Sequence, residues 1–294
     1  MTDRRMLLVH AHPDDETIGT GATMARYVAD GAQVTLVTAT SGEEGEILLS
    51  HLDHLAADQT DDLGAHRRVE LGAAMAELGV TDWRLLGGPG KYRDSGMIGT
   101  PANDRPDCFW RADLLTAATD IVAIIREVRP HVVITYDMFG GYGHPDHIQA
   151  HRATTYAVSL AAVPSFRPDL GQPWQVFKVY WPGIPRSIMM AGIEALRASG
   201  DQSEFATMDV DSLDFVIDDD VVTTAIDATA FLDSKMAALR AHATQVSVDS
   251  GFFALSNNLG NQALGIEYYQ LVAGAKSGPF DAQGRETDLF AGIG

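Results

Sequence analysis

Apolar and polar residues in the first half of the chain follow two alternating periods. Short apolar runs at 6–11, 33–39, 83–86 and 131–136 predict strands, the second of them rich in Val and Thr and closed by Ser41 and Gly42. Helical spacing predicts helices at 21–30, at 57–78 up to Gly79, and at 113–128, which stops before Pro130. In the second helix Leu63, Leu71, Met75 and Leu78 keep that spacing against the charged Arg67, Arg68 and Glu70. Strand and helix in alternation predict an α/β fold, a Rossmann-like doubly wound and mostly parallel sheet with helices on both faces. After Pro182 the pattern loosens into a helix at 188–198, an acidic stretch at 209–220, a strand at 221–226, a helix at 228–243 and a late strand at 271–275, followed by a terminus expected to fray. The expected organisation is a core over 1–180 and a smaller mixed α/β subdomain over 181–294 that completes the pocket. No internal repeat or low-complexity tract interrupts it.

This topology locates a site before any motif is considered. Crossovers between parallel strands are right-handed, and where the strand order reverses the first and fourth strands adjoin, with ligands bound beyond their C-terminal ends. The segments that follow those strands are His12-Pro13-Asp14-Asp15-Glu16 and Gly140-Gly141-Tyr142-Gly143-His144-Pro145-Asp146-His147. Pro13 stiffens the first, and the glycines of the second permit turns that a Cβ forbids. Together they offer three histidines and three aspartates without cysteine. That donor set suits zinc or another divalent transition metal, Fe²⁺ included, with one position left open for chemistry. His10, one residue before the motif on a strand, is expected to face the core instead. His51, His54 and His66 read as solvated surface, and His151, one turn after His147, as a helix residue or a support for the site.

Composition narrows the partners. The 294 residues are 46% hydrophobic and 21% charged, ordinary for a folded protein, and the net charge of −19 disfavours nucleic acid and anionic membrane surfaces. The single cysteine, Cys108, forms no internal disulfide and no thiolate cage, which suits a reducing compartment. With neither a secretory leader nor a run of ~18 apolar residues, a cytoplasmic location is the expectation, and the oligomeric state is not legible.

The two motifs resemble the hallmarks of the PIG-L/LmbE-type zinc-dependent N-deacetylase superfamily over residues 5–155. Within it, the segments 42–46, 90–97 and 140–143 are most similar to the branch that acts on N-acetylglucosaminyl-inositol in mycothiol biosynthesis. The resemblance implies His12, Asp15 and His147 as metal ligands, and Asp14 as the base that takes a proton from the attacking water and returns it to the leaving amine. It implies a protonated His144 and the Tyr142 hydroxyl as stabilisers of the oxyanion, with Asp146 orienting His144. Arg67, Asp94 and Glu46 match substrate-contacting positions, although Arg67 also reads as a surface charge paired with Glu70 and Asp94 as a turn residue. The implied partner is a small amino sugar. The related amidase branch, which cleaves mycothiol conjugates, carries Lys and Arg where this chain has Gly19 and Glu44, and ranks second; deacetylation of other amino sugars stays open. A non-catalytic nucleotide-binding protein is disfavoured because Gly19-Thr20-Gly21 is an incomplete fingerprint and no P-loop Lys follows. A metal-binding regulator is disfavoured by the intact Asp14 and His144. The long 43–62 connection is a candidate lid.

Overall fold

In the computed structural model, which describes residues 3–198, 200, 207–248 and 262–293, the first apolar run becomes β1 (Arg5–His10), buried from Met6 onward. Next come α1 (Asp15–Ala29), β2 (Gln33–Thr38), α2 (Leu63–Leu78), β3 (Asp82–Leu85), α3 (Leu114–Val128), β4 (Val132–Ile134), α4 (Pro145–Ala161) and β5 (Lys178–Pro182). After these the chain forms β6 (Ile184–Pro185), α5 (Arg186–Ala198), β7 (Val216–Ile217), β8 (Thr224–Asp227), α6 (Leu232–Ala241) and β9 (Ile266–Ala273).

The main sheet runs β3-β2-β1-β4-β5-β9-β8, parallel up to β5 and antiparallel beyond it. Its order reverses between β1 and β4, as the strand pattern predicts, with Leu7 in register with Thr35 on one side and Val133 on the other. Alternate β1 residues feed two cores. Met6 and Leu8 pack with Leu36, Met24, Leu71 and Met75 under α1 and α2, while Leu7 and Val9 pack with Val37, Ile121, Ile125 and Ala153 under α3 and α4. The C-terminal third adds β8 and β9 to this same sheet and lays α6 across α1 and α2, while β6 and β7 form a small separate pair beside α5.

Boundaries depart from the sequence pattern where side chains are small or polar. Helix α1 starts at Asp15 rather than 21, because Asp14 and the polar Thr-Gly stretch open it without apolar periodicity. Helix α2 starts at Leu63, six residues later than expected, after a 3₁₀ turn at Ser50–Leu55. Helix α4 carries no strong apolar stripe, since its buried face is largely Ala150, Ala153, Ala157 and Ala161. The buried Arg126 guanidinium donates to the carbonyls of Leu160, Ala161, Val163 and Arg167, and so satisfies acceptors that the end of α4 leaves open. Strand β9 begins at Ile266, earlier than the late apolar run suggests. Among the described residues no helix is long and apolar enough to cross a membrane.

Candidate active site

Both motif loops leave the C-terminal ends of the two central strands and meet there. Asp14 is the N-cap of α1 at φ 114°, a conformation that costs a non-glycine residue ~1–3 kcal/mol and persists only when its surroundings enforce it. Its amide donates to Oε2 of Glu16 at 3.0 Å, and its carbonyl accepts from Thr17 and Ile18. Arg67 reaches the same turn from α2, donating to the Pro13 carbonyl at 2.6 Å, the Gly42 carbonyl at 2.7 Å and Asp14 Oδ2 at 3.2 Å. In the second loop Gly140 has φ +69°, and a Cβ there would lie 2.6 Å from Cβ of His147. The backbone packs against the helix that carries His147, so only glycine fits.

Hydrogen bonds decide which nitrogen of each imidazole is bare. A carbonyl only accepts, so the 3.1 Å contact from His147 Nδ1 to the Gly140 carbonyl puts the proton on Nδ1. Nε2 of His147 is then a lone pair, buried without a hydrogen-bond partner among the described residues and 3.3 Å from Oδ2 of Asp15. His12 faces carboxylates with both nitrogens: Nε2 lies 3.1 Å from Asp146 Oδ2 and 3.5 Å from Asp94 Oδ1, while Nδ1 lies 3.3 Å from Asp15 Oδ2. Two imidazole nitrogens thus converge on one carboxylate oxygen. The three imidazoles of His12, His144 and His147 also place nitrogens within 4.8 Å of one another, as do the ligand atoms of His12, Asp94 and Asp146. An orphaned lone pair beside a carboxylate and a second imidazole is a donor set that fits a divalent transition metal.

Charges follow from this packing. Burial works against ionised Asp15, yet His147 and His12, when they carry protons on the facing nitrogens, override it and hold the carboxyl well below its usual range. Burial likewise disfavours charge on His12, but Asp94, Asp146 and Asp15 overcome it and raise the imidazole well above its ordinary value. Asp14 goes the other way. Burial pushes it up to about 6, with the Arg67 charge pulling it back and Asp15 adding to the rise. The two adjacent aspartates are therefore differentiated before any cation binds.

Two expectations are corrected. Asp146 does not orient His144 through its carboxylate, which is taken up by His12 Nε2 and by the amide and hydroxyl of Ser95. The Asp146 amide instead donates to His144 Nδ1 at 3.1 Å, with His144 as N-cap of α4. The surroundings also work against the expected proton on His144, since burial and then the nearby His12 and His147 push its imidazole down to about 3. With Nδ1 accepting, the neutral ring carries its proton on Nε2 and keeps a donor.

The remaining candidates take distinct places. Tyr142 is 42% exposed, its ring 4.9 Å from that of His147 and 6.2 Å from that of His144. Arg67 is buried and is not a surface partner of Glu70, which accepts from Thr244. Asp94 is buried under His12 and accepts from the Gly96 and Glu44 amides. Glu46 is exposed on the long connection and, with Ile47, Asp53 and His54, lines a cavity of about 560 Å³; Gln245 donates to its carbonyl. A larger cavity of about 760 Å³ near Arg5, Gln33 and Arg129 contains none of the motif residues. His10 is a core residue, bonded to Tyr136 and Thr20. His51 and His54 are exposed and His66 pairs with Glu70, whereas His151 bonds the Tyr136 carbonyl.

Sequence reasoning missed Tyr136, Ser95 and His242. Tyr136 stacks on His147 at 4.2 Å and accepts from the Ala11 amide, so it braces both loops. Its position at the end of the fourth strand was the available signal. Ser95 lies in the 90–97 segment that carries the resemblance but was given no role, and His242 near the end of a helical pattern that gives no pointer to the site.

Residues 7–158 match the PIG-L family model, described as GlcNAc-PI de-N-acetylase. The chain belongs to this family. It is 62% identical over 291 residues to the 1D-myo-inositol 2-acetamido-2-deoxy-alpha-D-glucopyranoside deacetylase of Geodermatophilus obscurus, covering 99% of this chain and 98% of that one. It is 57% identical over 302 residues to the enzyme of the same name from Kribbella flavida, covering 100% and 99%. Among solved structures, N,N'-diacetylchitobiose deacetylase of Pyrococcus horikoshii shares the fold with a TM-score of 0.62 at 18% identity, over 93% of this chain and 85% of that one. The protein is accordingly a deacetylase, a hydrolase of an amide C–N bond, and its His/Asp cluster could hold the metal ion on which the family's chemistry depends.

Proposed function

We propose that the protein hydrolyses the N-acetyl group of 1D-myo-inositol 2-acetamido-2-deoxy-α-D-glucopyranoside, releasing acetate and glucosaminyl-inositol, as a cytoplasmic zinc enzyme of mycothiol biosynthesis. The substrate rests on the names of full-length relatives at 62% and 57% identity. The observation that carries the chemistry is the convergence of His12 Nδ1 and His147 Nε2 on Asp15 Oδ2, each at 3.3 Å.

In this reading His12, Asp15 and His147 hold the cation, with Asp146 fixing the His12 ring through Nε2. A bound zinc ion supplies a Lewis acid for the amide carbonyl and acidifies a water molecule. Asp14, raised to about 6, is poised near neutral pH to accept the proton of the attacking water and deliver it to the departing amine. The Nε2–H of neutral His144 and the Tyr142 hydroxyl donate to the oxygen that gains charge as the acyl carbon becomes tetrahedral. Arg67, Asp94 and Glu46 supply polar partners for sugar hydroxyls, which an apolar pocket lacks. Residues 1–180 carry the motif loops, and the C-terminal strands and helix complete the same sheet-centred unit beside the site, Gln245 holding the Glu46 segment.

Appearance of the free amine from N-acetylglucosaminyl-inositol, from N-acetylglucosamine and from a mycothiol conjugate, each with and without chelator, tests the reading. Chelator-sensitive turnover with the first substrate preferred is expected. Preference for the conjugate would move the protein to the amidase branch, and no release from any of the three would end the proposal.

A further inference from the structure

His242 takes no part in the chemistry above, yet it touches the motif loop from the far side of α1. It follows the last turn of α6 and is fully buried, with Nε2 3.0 Å from Oε1 of Glu16. A carboxylate oxygen accepts, so Nε2 is the donor, and Nδ1 is left buried with no hydrogen-bond partner among the described residues. The other oxygen of Glu16 accepts the Asp14 amide at 3.0 Å. Contacts therefore run from a C-terminal histidine through Glu16 to the backbone of the residue held at φ 114°.

We propose that His242 is a positioning residue for deacetylation: by donating to Glu16 it aims the second carboxylate oxygen at the Asp14 amide and keeps the Asp14 side chain turned into the site. Two other buried pairs, Lys178 with Glu286 and Lys235 with Glu267, separate this role from plain packing. The spare bonds of Glu286 go to Tyr180, Thr224 and Ser277, and those of Glu267 to Ala22, Thr23 and Tyr269, none of which is a motif residue. Glu16 alone passes its second oxygen to the residue read as the general base. The inference rests on that reading of Asp14.

The test compares His242→Phe, which fills the space without a donor, with His242→Gln, whose amide nitrogen can stand in for Nε2. In full-length zinc-loaded protein H242F is expected to lower kcat by about 10–100-fold, as loss of a supporting hydrogen bond commonly does, with KM and metal content unchanged. The Asp14 amide, followed by NMR hydrogen exchange, is expected to exchange at least about tenfold faster. H242Q should restore both. Wild-type kcat in H242F, unchanged Asp14 exchange, a rise in KM or loss of metal in step with kcat, or an H242Q as slow as H242F would each overturn the role. Should H242F not fold, His242→Asn, whose amide stops short of Glu16, makes the same comparison. Wild-type protein that releases no acetate from the sugar would sink the substrate instead, and the exchange contrast, which needs no substrate, would still decide the His242 contact.

Discussion

The Arg67 guanidinium lies 3.2 Å from Oδ2 of Asp14 and 2.6 Å from the Pro13 carbonyl, so one buried cation holds both the candidate base and the turn that carries it. Burial raises Asp14 to about 6, and Arg67 opposes that rise. A base works only when ionised, so acetate release is expected to fall as pH drops through about 6. Arg67→Met removes the opposing charge and should move this acidic limb to higher pH. A pH profile of kcat/KM for both proteins checks the sign; a limb that stays in place or moves downward would refute it.

The bare Nε2 of His147 and the shared Asp15 oxygen predict which residues retain metal. Asp15→Ala and His147→Ala are expected to purify with little zinc and to resist reloading. His144→Ala should keep its zinc and lose ~10²–10³-fold in kcat, the usual cost of one oxyanion donor. Elemental analysis beside acetate release distinguishes this ligand set from the His12, His144 and His147 grouping, for which His144→Ala would lose the metal.

Asp146 holds His12 and is itself held by Ser95. Asp146→Ala should therefore weaken metal affinity about 10–100-fold, because His12 loses the contact that fixes its ring and tautomer. Competition with a zinc chelator measures this. A variant with intact affinity and only a lower kcat would return Asp146 to the role of orienting His144.

At Gly140 a methyl group would meet His147 Cβ at 2.6 Å while the backbone needs φ +69°. Gly140→Ala is expected to lower the melting temperature by a shift corresponding to about 1–3 kcal/mol and to lose metal, since the loop and His147 must move together. Gly141, with φ +76° but no atom within 4 Å of a built Cβ, should tolerate Ala better, suffering the backbone strain alone. Equal thermal shifts in the two variants would show that crowding against His147 is not the cause.

Much of this arrangement follows from short-range pattern. Apolar runs and helical spacing mark β1 through β4, and the handedness of parallel crossovers then places the His12 and His147 loops side by side. Even the inward face of His10 follows from strand alternation. Elements without such a pattern were illegible: α4 buries alanines, and α1 opens on a strained aspartate rather than an apolar stripe.

What the chain determined by itself was the meeting of the two motifs. Only the tertiary structure decided what each polar atom does there, because a hydrogen bond depends on the position of a partner that is often far away in sequence. The Asp146 carboxylate turns to His12 and Ser95, other imidazoles crowding His144 in a dry site work against its proton, and Glu16 meets a histidine 226 residues away. Periodicity carries no information about such contacts; burial and packing create them.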